Sequence, residues 1–164
     1  MGGKNAKRAD ERTNFDEEGC ETSNDDDTQI PPEDLQPPKP NDISFSVGKI
    51  YFSAEKLRVL KNLWAPVQSF DFPVTFINQR RLRFQYNCPI RFKWLTYSQN
   101  ENWAFCKYCV LFGRKSGAGI GNQPLGSLCA FKFQKWKNAL ERFAEHESSK
   151  YHQNSVVTRA GLRP

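Results

Sequence analysis

The sequence predicts a small α+β module behind an acidic tail. Three observations carry that expectation. Cys106 and Cys109 leave two residues between them at the end of a hairpin-like stretch. His146 and His152, the only two histidines in the chain, leave five residues between them on a stretch of helical periodicity. The charge is also split along the chain. Residues 1–42 carry 5 Lys/Arg against 12 Asp/Glu, a net −7, whereas residues 43–164 carry 19 against 6, a net +13. Two thiolates and two neutral imidazoles complete a tetrahedral Zn2+ shell, with Zn–S about 2.3 Å and Zn–N about 2.0 Å. The two thiolates cancel the dication, so such a centre can sit in a modest apolar pocket. The expected fold is therefore a zinc-stabilised module in which a β-hairpin carries C-x2-C and C-terminal helices carry the two histidines.

A C-x2-C pair also occurs as a redox dithiol at a helix start within a βαβ pattern. Nothing in this chain alternates that way. The 36 residues between Cys109 and His146 are too many for the short DNA-reading finger. The net charge is +6, and no apolar run approaches transmembrane length or forms an N-terminal signal peptide. An odd cysteine count without a disulfide pattern suits a reducing compartment, cytosol or nucleus.

In chain order, residues 1–42 read as a disordered acidic, proline-rich tail. Asp25-Asp26-Asp27 is a like-charge run and Pro37-Pro38-Lys39-Pro40 favours extended chain. Residues 43–65 read as a short strand and helix, or a linker. Ile43, Phe45 and Val47 alternate with serines; Leu57, Leu60, Leu63 and Trp64 recur at helical spacing until Pro66. Residues 66–160 form the module. Its first part reads as an extended arm that packs by aromatics and leaves Arg80, Arg81 and Arg83 outward, with a turn at Cys88-Pro89. Leu95–Ser98 and Trp103–Phe105 read as the hairpin strands around the turn Gln99–Asn102. Residues 113–130 read as a flexible glycine-rich loop, since no G-K-[ST] ending marks a phosphate loop. Cys129 at its end is expected as a small buried residue. Trp136, Ala139, Leu140, Phe143 and His146 then share one helical face. Ser148 or Ser149 caps a second helix with His152 in its first turn.

The strands, the C-x2-C run Ala104–Phe112, the stretch Phe133–Leu140 and His146-Glu147-Ser148-Ser149-Lys150-Tyr151-His152 together resemble the TTF-type zinc finger. That domain is found near the N-terminus of hAT-type transposases and in MYM-type zinc finger-like proteins. The resemblance covers about residues 66 to 160. It implies zinc ligands at Cys106, Cys109, His146 and His152 and DNA binding; the expected location is the nucleus. Lys132 departs from it, because the family commonly has glycine before Phe133, and so does the glycine-rich insertion.

The basic body suggests a polyanionic partner. Candidate nucleic-acid contacts are Arg80, Arg81, Arg83, Arg91 and Lys93, which interleave with aromatics, and Lys135, Lys137 and Arg142 beside the histidine helix. The alternative is a zinc-stabilised protein–protein interaction module, with a protein partner or a second copy of the chain. In the related transposases a catalytic region follows the finger. Here the six acidic residues of the body form no two-metal constellation, and both histidines are committed to zinc. The expectation is a non-enzyme with no small-molecule substrate and no membrane partner, either a stand-alone remnant of a mobile element or a fragment of a longer product.

Overall fold

The computed structural model describes residues 38–114, 126–131 and 133–162. The tail up to residue 37, the middle of the glycine-rich stretch and Lys132 lie outside these, as do the readings made of them. Within them the chain is a mixed α+β module with two antiparallel hairpins and five helices.

Asp42 opens the fold. It is 1% exposed, and its carboxylate accepts from Ser44 N at 2.9 Å and from Gln99 N at 2.9 Å. A weaker bond comes from Asn100 N at 3.4 Å. This single carboxylate explains why Ile43–Ser46 winds into one 3-10 turn and not the short strand its alternation suggests. A local side-chain cap competes with strand pairing and wins. Ile43 packs against Phe105 and Val110, so this segment lies on the module. Asp42→Ala would strip a charged acceptor from two segments at once. The expected loss is about 2–3 kcal/mol, read by urea unfolding of the zinc-loaded protein.

Helix α1 runs Ser53–Asn62, and Glu55 accepts from the Phe52 N–H at its start. Its stripe of Leu57 and Leu60 is half-buried, as are Leu63 and Trp64 just beyond its end. Strands β1 (Thr75–Ile77) and β2 (Arg80–Leu82) make a short hairpin where an extended arm was expected. Asn78 and Gln79 at its turn have φ of 50° and 64°. Two successive left-handed residues suit a two-residue hairpin loop. Phe72, Leu82 and Phe84 go into the core, while Arg80 and Arg81 stay exposed. Cys88-Pro89 lies inside a short helix, α2 (Asn87–Arg91). Proline is tolerated there because a first-turn N–H has no helical partner anyway.

Strand β3 (Leu95–Ser98) pairs with β4 (Trp103–Cys106), with Leu95 opposite Cys106 and Ser98 opposite Trp103. The turn between them is the one expected. Asn102 adopts φ 52° there, which asparagine tolerates, and accepts a 2.7 Å bond from the Tyr97 hydroxyl. All four β3 residues are buried because both faces of this strand are covered. Helix α3 (Lys107–Phe112) follows at once. After the glycine-rich stretch come a 3-10 turn at Trp136–Asn138, helix α4 (Ala139–Ser148) and helix α5 (Lys150–Gly161).

The core is largely aromatic. Phe72, Phe84 and Tyr97 lie about each other at centroid distances of 5.0 to 5.1 Å. Phe84 meets Trp136 edge-on at 5.5 Å. Trp136 and Phe143 then flank Phe133 at 5.8 and 5.3 Å. Edge-to-face pairs of this kind add to simple burial. From Phe143 on α4 the ring contacts continue to Phe92 and Trp94.

Candidate metal centre

The ligand atoms of Cys106, Cys109, His146 and His152 all lie within 4.8 Å of one another. Each arrives by local geometry. Cys106 is the last residue of β4 and also the N-cap of α3, and its sulfur accepts from Cys109 N at 3.4 Å. The two-residue spacing therefore acts across a strand-to-helix corner, so that Val110, Leu111 and Phe112 enter the core as a helix. His146 sits in the last turn of α4. The chain then breaks at Ser149, whose backbone is extended (φ −68°, ψ 140°) and whose hydroxyl accepts from His152 N. Ser149 is thus the N-cap of α5, and His152 falls in its first turn, as the sequence indicates.

The distances fit zinc. A tetrahedral shell built from the usual Zn–S and Zn–N lengths puts sulfur and nitrogen about 3.5 Å apart. Cys106 Sγ lies 3.3 Å from His152 Nδ1; Cys109 Sγ lies 3.5 Å from His146 Nε2 and 3.7 Å from His152 Nδ1. The two imidazoles present different nitrogens, Nε2 from His146 and Nδ1 from His152. Cys106, Cys109 and His152 are buried, and His146 is half-buried. Four protein ligands in a mostly closed shell are the form of a structural zinc centre; catalytic sites keep a position open.

The electrostatics favour a cation. Burial, first of all, pushes the Cys106 thiol well above its ordinary range. The hydrogen bond from Cys106, then one from Cys129, holds Cys109 well below it. Zinc takes both sulfurs as thiolates, and a bound dication favours that form. Cys129 is buried beside Cys109 but stands outside the four-atom cluster, and Cys88 lies in the apolar core.

Two further residues shape the centre. Trp94 covers it, with its ring 4.8 Å from that of His146 and 5.2 Å from that of His152. Its indole N–H donates to Glu147 Oε1 at 2.9 Å, and its carbonyl accepts from Lys107 N at 3.0 Å. Gly113 ends α3 where Tyr151 of α5 crosses. A Cβ there would collide with the Tyr151 hydroxyl and lie 2.5 Å from the Cys109 carbonyl oxygen. In the sequence Gly113 reads only as the start of the glycine-rich loop, and Trp94 as one more aromatic beside Lys93. Neither carries a local signal, because both roles arise from contacts with residues far along the chain. Gly113→Ala is expected to pry α3 from α5 and weaken zinc retention about tenfold, since overpacking costs about 1–3 kcal/mol. Competition with a chromophoric chelator reads this directly.

The cations singled out in the sequence lie elsewhere on the surface. Arg80, Arg81, Arg91, Lys93, Lys135, Lys137 and Arg142 are exposed, and Arg83 is half-buried. Arg83 pairs with Asp71 at 3.3 Å and Arg142 with Glu145 at 2.8 Å. Arg91 lies over the Phe92 ring. Arg80, Lys93, Lys135 and Lys137 have no carboxylate partner among the described residues. Among those residues no helix is long and apolar enough to cross a membrane. No protein-family model, curated protein or solved structure matches the chain. Its own residues make it a small zinc-stabilised α+β module built around a Cys2His2 centre.

Proposed function

We propose that the module binds DNA, with zinc holding its elements in register. The observation that carries this reading is the set of surface cations, most of them exposed, on a body of net charge +13. Lysines and arginines on a rigid scaffold displace condensed counterions from phosphates. The resemblance to the TTF-type finger of hAT-type transposases points the same way, to a transposase-derived DNA-binding finger working in the nucleus. The metal's part is structural, so the chain is read as a binding module and not an enzyme.

The test is the salt dependence of duplex binding by the full, zinc-loaded chain. Affinity should fall linearly on a log–log plot, with a slope of about −0.9 per phosphate neutralised. Arg80→Ala/Arg81→Ala/Arg83→Ala should flatten that slope, with Arg83 contributing less because Asp71 engages it. Removing residues 1–37 should tighten binding at low salt, because those residues are strongly acidic. Binding that is absent at low salt would shift the reading to a protein-interaction module. That second reading has its own support, since Ile50 and Phe52 ahead of α1 are 85% and 84% exposed.

A further inference from the structure

A concavity of about 290 Å³ opens where the end of α1, α2 and β3 meet, and none of the four metal ligands lines it. Its walls include Trp64, Tyr86, Ile90 and Tyr97, and its basic groups are Lys93 and Lys107. No aspartate or glutamate lines it. Trp64 and Tyr86 are half-buried, so each leaves part of its surface open, while Tyr97 is fully buried. Lys93 is exposed and Lys107 is half-buried. A third cation stands close to Lys107: both lie over the Tyr108 ring, Lys107 Nζ at 5.7 Å and Arg159 Cζ at 6.0 Å from its centroid. Among the described residues neither Lys93 nor Lys107 is ion-paired.

Aromatic walls beside unpaired ammonium groups suit a flat ring that carries an anion. The volume is at the small end of small-molecule sites, about 300–1,000 Å³, which fits one ring system better than a peptide segment. We infer that this concavity is a nucleotide subsite: it takes one unstacked base against Trp64 and Tyr86, with the attached phosphate held by Lys93 and Lys107. This rests on the nucleic-acid reading and deepens it, because surface arginines hold a backbone without distinguishing a stacked from an unstacked base. Stacking on an aromatic side chain is sequence-tolerant, since every base has a π-face. The subsite therefore predicts a preference for single-stranded or distorted DNA over a regular duplex of the same sequence.

The experiment is a titration of the full, zinc-loaded chain, followed by NMR at the Ile90 methyl and Thr96 amide. The probes are a deoxynucleoside 5′-monophosphate, inorganic phosphate and an acidic peptide. The monophosphate should shift both signals saturably and bind about tenfold tighter than phosphate, the size of one stacked base. Tyr86→Ala should erase that difference, and Lys93→Ala should weaken both anions. Because Lys107 lies between two metal ligands, Lys93→Glu at an exposed position serves as the charge test and should abolish binding of both anions. Silence at Ile90 and Thr96 overturns the subsite, as does equal binding of phosphate and nucleotide, or binding of the acidic peptide alone. If the pocket is silent while duplex binding still responds to the three-arginine variant, only the subsite falls. If the nucleotide binds the pocket but no duplex binds at any salt, the subsite stands and the duplex reading falls.

Discussion

Cys106→Ser/Cys109→Ser is expected to abolish stoichiometric zinc and most of the module's helix content together. The two sulfurs anchor the strand-to-helix corner of β4 and α3, and the two imidazoles come from α4 and α5. The two pairs come from segments separated by 36 residues in sequence. Structural zinc supplies about 10–16 kcal/mol in small zinc-finger peptides. A domain's whole net stability is about 5–15 kcal/mol. Losing the metal is therefore expected to exceed what the aromatic core retains. Acid acts in the same direction: thiolates and imidazoles take up protons as pH falls, so zinc release should grow towards low pH and reverse on neutralisation. Native mass spectrometry and circular dichroism check both. A double variant that keeps one equivalent of zinc and its helicity would refute the ligand assignment.

Phe143→Ala is expected to be the most damaging change outside the ligands. Phe143 is 0% exposed and touches Phe92, Trp94 and Phe133 with ring centroids at 5.5, 5.9 and 5.3 Å. It therefore joins the aromatic core to the cover of the zinc centre. Truncating such a residue costs about 3–5 kcal/mol, through lost transfer energy and the cavity left behind. Leu140, one turn earlier on α4, is only half-buried. Leu140→Ala should cost less, about 1–2 kcal/mol. Urea unfolding at saturating zinc measures the pair. Equal costs would show that α4 is rotated from the phase described.

The contrast between these two residues shows what the sequence makes legible. The spacing Trp136, Ala139, Leu140, Phe143, His146 identifies a helix and its inner face, and the structure buries Trp136, Ala139 and Phe143 there. It could not say that Leu140 lies at the edge of that face, because a period of 3.6 does not resolve the width of the stripe. The first turn of the expected helix is a 3-10 turn, Trp136–Asn138. The four ligands were legible because metal chemistry restricts both residue type and spacing. Asp42 was not: it looks like the end of an acidic tail, yet it holds the β3–β4 turn 57 residues away. The hairpin at Asn78-Gln79 was missed because its turn lacks the glycine that usually marks two left-handed residues.

Trp94 gives the molecule a built-in optical sensor. Its ring lies on both histidine rings, and its N–H is fixed to Glu147, immediately after the first of them. An indole's emission depends on the polarity and rigidity of its immediate surroundings. Metal occupancy fixes both rings in place, whereas chelation frees them. Of the four tryptophans, Trp64, Trp103 and Trp136 make no ring contact with either histidine among the described residues. A Trp94→Phe variant would therefore isolate the signal by difference, and the native chain would report zinc capture and release by intrinsic fluorescence, without a label.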